Sequence, residues 1–189
     1  MQRRQFLGMI GLLTTPLQLL AANRKPTPED VEGPFYPVVP IPVRSNLVRV
    51  GQNLMGQPIL LSGRVLDRQG KPLNGAKVEI WQCDGRGLYE HPAQDGYERF
   101  DANFYGFGAQ LTNEQGYYRF TTLYPVPYTG RPPHIHVKVW QGDQVLLTTQ
   151  LYLQGNTGGS WFKSQREPLQ ISPKKAADGT LAADFTFVV

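Results

Sequence analysis

His134 and His136 stand one residue apart in the segment GRPPHIHVKV (130–139), and they are two of the three histidines in the 189-residue chain. In a β-strand, alternation puts both imidazoles on one face and turns Ile135 to the other. Paired neutral imidazoles at this spacing are a common way to hold a transition metal. Two polar residues on a solvated strand face are the plainer alternative.

What completes the shell would choose the metal. A facial triad for Fe(II) needs a nearby carboxylate, and a cupin-like site needs a Glu three or four residues past the second histidine, where this chain has Val139 and Trp140. Cys83 is the single cysteine, so neither an internal disulfide nor a cysteine-based zinc site can be built. His91 lies in a long loop and reads as a residue beside the site or on the loop surface. Phenolates are left as candidates. Tyr89 in DGRGLYEH and Tyr128 in YPVPYTGR adjoin Gly- or Pro-rich loops that can aim them at the histidine face. A phenolate is a hard anionic donor that favours Fe(III) over Fe(II), and a phenol with a pKa of about 10 yields its proton only to a strongly Lewis-acidic ion.

These side chains need a frame, and the sequence supplies one from Pro58 onward. Runs of strand character, ILLSGRVL (59–66), AKVEIWQ (76–82), QLT (110–112), YYRFTTL (117–123), HIHVKVW (134–140), VLLTTQLYL (145–153) and DFTFVV (184–189), are separated by Gly, Asp and Asn. This pattern predicts an all-β, antiparallel β-sandwich over 58–189 with few or no helices, leaving room for a turn or two of helix in 91–105 or 159–166. Residues 23–57 carry Pro26, Pro28, Pro34, Pro37, Pro40 and Pro42 without helical or alternating period, and are expected to form an extended arm that wraps the domain.

Composition agrees with one domain behind a leader: 40% of residues are hydrophobic and 18% charged, with 20 Gly and 16 Pro. The net charge is +4, and setting aside Arg3 and Arg4 of the leader leaves 17 basic against 15 acidic side chains, which implies no nucleic-acid partner. Residues 1–22, MQRRQFLGMIGLLTTPLQLLAA, have the basic start, apolar run and small residues of an export signal. Arg3 and Arg4, followed by Gln5, Phe6 and Leu7, resemble a twin-arginine signal, so a periplasmic location is expected, with cleavage after Ala22. Thr14, Thr15, Pro16 and Gln18 interrupt the apolar run short of a bilayer span, and no stable membrane span is expected once the signal is removed.

EGPFYP (32–37), GRVLDRQGKPLNGAKVEIWQCD (63–84), GLYEH (87–91), LTNEQGYYRFTTLYPVPYTGRPPHIHVKV (111–139) and TTQLYL (148–153) together resemble, in order, the intradiol ring-cleavage dioxygenases. These are the non-haem Fe(III) enzymes that include protocatechuate 3,4-dioxygenase and catechol 1,2-dioxygenase. The resemblance implies that Tyr89, Tyr128, His134 and His136 ligate iron, with Tyr89 and His134 equatorial and Tyr128 and His136 axial. It places Arg131 beside the substrate ring and Gln150 near the side where O2 reacts, so that Tyr128, Arg131 and Gln150 are the catalytic set. It also implies a catechol-type substrate bound through both oxygens with displacement of Tyr128. O2 then opens the ring between the two hydroxyls to a cis,cis-muconate-type diacid.

Two departures are visible. The loop from Tyr128 to His134 is shorter than in the protocatechuate enzymes, and no helical N-terminal linker domain is seen, which argues against the dimer built on that linker and leaves a homo-oligomer of another kind open. Tyr124 is the rival phenolate. Tyr117, Tyr118 and Tyr152 read as packed sandwich residues, Arg131 could pair with an acid such as Glu32, and Cys83 reads as buried and inert. The aromatics Tyr97, Phe100, Phe104, Tyr105 and Phe107 could cover the sandwich or line a pocket. A cation for a carboxylated ring could come from Arg44, Arg86, Arg99 or Lys163. GRVLDRQGKPLNGAKVEI also suits a non-catalytic exported module of the carboxypeptidase-regulatory or prealbumin-like type, a likeness of fold that names no function.

Overall fold

The computed structural model describes residues 23–49, 53–159 and 163–189. The leader expected at 1–22 lies outside them. Two facing five-stranded sheets are formed by β1 (Pro58–Leu66), β2 (Lys77–Trp81), β3 (Phe107–Leu111), β4 (Tyr117–Leu123), β5 (His134–Gln141), β6 (Gln144–Leu153) and four short strands, β7 (Gln170–Ile171), β8 (Lys174–Lys175), β9 (Leu181–Asp184) and β10 (Phe187–Val188). One sheet runs β10-β1-β9-β8 with β4 also on β1, and the other runs β3-β2-β5-β6-β7. The core lies between them: Ile59, Leu61 and Val65 of β1 and Tyr118 and Phe120 of β4 meet Val78, Ile80, Ile135, Val137, Val139 and Leu151 of the second sheet. This is the all-β sandwich that the alternation predicts. Among the described residues helix is confined to 3₁₀ turns at Tyr97–Arg99 and Glu167–Leu169 and to α1 (Lys163–Arg166). Among the described residues no helix is long and apolar enough to cross a membrane.

The sheets depart from a purely antiparallel pattern at the C-terminal end. DFTFVV is two strands rather than one, and both β9 and β10 pair in parallel with β1, as β7 does with β6. Phe185 breaks the run: its N–H donates to the Ser62 carbonyl at 2.9 Å, and its carbonyl accepts the buried Tyr118 hydroxyl at 2.7 Å. β3 begins three residues earlier than expected, at Phe107.

Between 23 and 49 the arm contains only isolated bridges, and its backbone is stitched to the sandwich at several points. Thr27 N–H bonds to Val188 at 2.9 Å, Asp30 N–H to Thr148 at 3.0 Å and Leu47 N–H to Thr121 at 2.8 Å. One strand under the arm is buried on both faces. From His134 to Val139 every residue of β5 is buried. Covering the outer face is what makes a polar strand face compatible with burial, because the arm supplies partners for it.

Candidate active site

β5 puts His134 and His136 on its outer face, 1% and 2% exposed, while Ile135 enters the core. The two Nε2 atoms are 3.1 Å apart. His134 Nδ1 lies 2.6 Å from the Pro132 carbonyl, which can only accept, so the ring proton sits on Nδ1 and Nε2 keeps its lone pair. The His136 ring is stacked on Trp81 at 4.7 Å and 8°. Gly33 of the arm closes over it: at φ +75°, a Cβ there would lie 3.3 Å from His136 Cε1. Glycine is required at this point both by the left-handed backbone and by the close approach.

Tyr89 comes from a loop organised by one buried carboxylate. Asp84 Oδ1 accepts the N–H groups of Arg86 at 2.9 Å and Leu88 at 3.0 Å, and its Oδ2 accepts that of Asp101 at 2.9 Å. The Tyr89 hydroxyl thereby reaches 3.1 Å from His136 Nε2 and 3.4 Å from His134 Nε2, and Phe35 stacks on its ring at 4.7 Å. Tyr128 stands on a tight turn closed by Arg131 N–H to its own carbonyl at 2.8 Å. Its half-buried ring meets Tyr89 edge-on at 5.5 Å and lies 5.5 Å from that of His134. Gly87 lets the two loops meet, since a Cβ there would be 3.0 Å from Tyr128 Cβ. Tyr124, the rival phenol, packs against the main core instead.

Burial keeps the donor groups of the site uncharged. Burial, outweighing the Pro132 hydrogen bond, and nearby Arg131 hold the His134 pKa down to about 4, and burial, with the His134 ring and the Arg131 charge nearby, holds His136 well below the ordinary value. Both imidazoles are therefore neutral donors at pH 7. Burial, with the Cys83 and Tyr128 groups beside it, pushes Tyr89 far above the usual tyrosine range, and burial raises Tyr128 as well. His136 Nδ1 is buried without a partner. Three donor atoms with converging lone pairs, two of them in neutral rings, repel one another unless a proton or a metal ion lies among them. No group of three or more His, Cys, Asp and Glu stands together among the described residues, and the further donors beside the two imidazoles are phenols, a hard donor set suited to Fe(III).

Arg131 Nη2 donates to Gln150 Oε1 at 2.6 Å, which brings together the two other residues expected at the site. Glu32, the acid considered for Arg131, pairs with Lys138. Tyr152 is buried as expected, yet its hydroxyl bonds to Asp30 and Gln150, each at 2.8 Å, so it belongs to the site's surroundings as well as to the sandwich. His91 stays apart from the pair: its Nδ1 accepts the Ala93 N–H at 3.0 Å and its ring meets the edge of Phe35. Cys83 is buried, as expected. Of the loop aromatics, Phe100, Phe104 and Tyr105 pack on the main core, Phe107 packs beside Tyr89, and Tyr97 is exposed. Arg86 lines a cavity of about 540 Å³ with Phe35, Leu88, Tyr128 and Thr129. Arg44 instead stacks on Tyr105, and Arg99 and Lys163 are exposed. Phe35, Gly33 and Trp81 had no assigned role in the sequence, although EGPFYP carries two of them.

In this two-sheet β-sandwich two histidines and two tyrosines thus converge on the outer face of one sheet. A family model described as Dioxygenase matches residues 31–187. The protocatechuate 3,4-dioxygenase beta chain of Burkholderia cepacia is 38% identical over 120 residues, covering 59% of this chain and 50% of that protein. A catechol 1,2-dioxygenase of Acinetobacter baylyi is 32% identical over 174 residues, covering 80% of this chain and 55% of that protein. The chain thus spans about half the length of these two curated relatives. Among solved structures, the dioxygenase domain of a dioxygenase carbohydrate-binding protein fusion from Streptomyces sp. SirexAA-E superposes with a TM-score of 0.69 at 31% identity, covering 87% of this chain and 98% of that one. The chain belongs to the intradiol ring-cleavage dioxygenase family.

Proposed function

We propose that this protein is a non-haem Fe(III) dioxygenase that cleaves a catechol-type ring between its two hydroxyls, giving a cis,cis-muconate-type diacid. The observation that carries this reading is the convergence of Tyr89 Oη, His134 Nε2 and His136 Nε2 within 3.1–3.4 Å of one another, with the Tyr128 ring against them. Tyr89, Tyr128, His134 and His136 would hold the iron. When bound there, Fe(III) would supply a Lewis acid able to ionise phenols and to activate a catecholate toward O2. Both oxygen atoms enter the product, and no external reductant is consumed.

The two tyrosines are not equivalent in their surroundings, which supports different roles for them. Tyr89 is 2% exposed and packed against Phe35, whereas Tyr128 is half-buried on a turn that faces open cavities. Tyr128 would therefore be the group that moves aside as substrate enters, and its oxygen would take up a substrate proton. Arg131 faces the ring with a fixed positive charge that stabilises the ketonised form, an effect worth several kcal/mol when the donor is preorganised. Gln150 sets the Arg131 plane. Phe35, Trp81 and the arm at Gly33 exclude water from the histidine side. Export through residues 1–22 belongs to the same proposal; an N-terminus at Met1 in secreted material overturns that part.

The test is the visible spectrum of iron-loaded protein before and after anaerobic addition of catechol. The expected result is a tyrosinate-to-iron band that moves to longer wavelength as catechol binds. A colourless protein with Fe(III) demonstrably bound would falsify the reading.

A further inference from the structure

Arg131 carries a permanent charge with no ion-pair partner among the described residues, and its Nε is buried without a hydrogen bond. Its direction depends on one neutral group, the Gln150 amide, which takes Nη2 at 2.6 Å. That amide has a fixed sense, because its Nε2 end donates to the Val31 carbonyl of the arm at 2.6 Å, leaving Oε1 to face Arg131. A second group also meets Oε1: the Tyr152 hydroxyl, at 2.8 Å. The same hydroxyl lies 2.8 Å from Asp30 Oδ2, so its single proton is shared between an arm carboxylate and the amide that holds the arginine. Asp30 is itself pinned, by Arg166 Nε at 3.3 Å and by its own N–H on the Thr148 carbonyl at 3.0 Å. The side chains of Asp30 and Arg166 are 7% and 9% exposed, and Tyr152 is fully buried.

The order of these groups matters physically. A carboxylate placed directly on Arg131 would neutralise the charge needed when negative charge builds on the ring. A carboxylate two side chains away, acting through a hydroxyl and an amide, fixes the angle of the guanidinium and leaves its charge free. We propose that Asp30 of the N-terminal arm is a positioning residue for Arg131, acting through Tyr152 and Gln150. This rests on Arg131 facing the substrate ring, as proposed above. The arm is then a working part of the site as well as a cover for it.

Tyr152→Phe removes the hydroxyl and leaves the Asp30–Arg166 pair intact. It is expected to lower kcat about 10- to 100-fold, as small misplacements of a catalytic group do, with KM for catechol and the tyrosinate band unchanged. Asp30→Ala should have the same effect, and Asp30→Asn, whose amide still bonds to the Tyr152 hydroxyl, should restore most of the turnover. In an Arg131→Ala background Tyr152→Phe should do nothing further, because the effect passes through the arginine. A readout independent of turnover is the ¹⁵N–¹H resonance of Arg131 Nε in the metal-free chain, which should broaden and exchange faster with water in Tyr152→Phe. Wild-type kcat in Tyr152→Phe, a full additional loss in the Arg131→Ala background, or an unchanged Nε resonance each overturns the proposal. Iron-loaded wild-type protein that cleaves no catechol defeats the proposed function instead, and the Nε resonance then decides the positioning role alone.

Discussion

On its inner face β5 presents Ile135, Val137 and Val139 to the opposite sheet; on its outer face it presents His134, His136 and Lys138 to the arm. Both faces are buried, but by different means. The inner face is closed by aliphatic packing, which is tolerant of small shifts and stabilises the whole sandwich. The outer face is closed by aromatic stacking and hydrogen bonds from residues far away in sequence: Trp81 on His136, Phe35 on Tyr89, and Tyr36 and Trp140 on the buried Glu79 at 2.8 and 2.7 Å. The inner face is therefore expected to determine stability and the outer face chemistry, and substitutions on alternate residues of one strand separate the two.

The largest effect falls on the outer face. His136→Ala should abolish iron binding, the tyrosinate band and turnover together, measured by metal analysis and spectroscopy, while the metal-free protein keeps its fold. Iron retained at full occupancy would remove His136 from the donor set. One position away, Ile135→Ala should cost about 2–5 kcal/mol of unfolding free energy in urea, the usual penalty for truncating a buried aliphatic side chain. The band position of its folded, iron-loaded form should stay where it is. A displaced band would mean that the two faces are coupled through the strand.

Gly33→Ala probes the seam between arm and strand. The positive φ and the 3.3 Å approach to His136 should cost about 1–3 kcal/mol and shift the tyrosinate band, since relief of the contact moves either the arm or the imidazole. A stable variant with an unaltered spectrum would show that the arm is merely laid over the site. The smallest effect is at Cys83, whose thiol is pushed up to about 12, first by burial and then by the Asp84 charge. The native thiol stays protonated where the unfolded one ionises, so its contribution to stability is complete below about pH 9 and is lost as pH rises from there toward 12. Iodoacetamide at pH 8 should leave the folded protein unlabelled and modify it only in denaturant, as mass spectrometry would report.

Much of this was legible because local rules suffice for it. Runs of strand character broken by Gly, Asp and Asn identified β1, β4, β5 and β6 close to their observed limits, and the one-residue spacing of His134 and His136 put them on a common face without knowledge of any other strand. The short parallel strands β7, β9 and β10 were less visible. Two to four residues carry no measurable period, and their pairing with β6 and β1 is a matter of where the chain returns. Glu79 and Lys138 are charged and yet buried, which no local pattern shows, because the arm that covers them is irregular and leaves no pattern of its own.

The sequence by itself determined the kinds of donor and the strand that carries two of them, since residue type and side-chain direction along a strand are local properties. Only the tertiary structure decided that Tyr89 reaches both imidazoles, that Tyr124 does not, and that Asp30 stands behind Arg131 through Tyr152 and Gln150. Apart from the Tyr152–Gln150 contact along β6, those relations join residues 19 to 122 positions apart, and such contacts follow from sheet register and the path of the arm, neither of which a local pattern encodes.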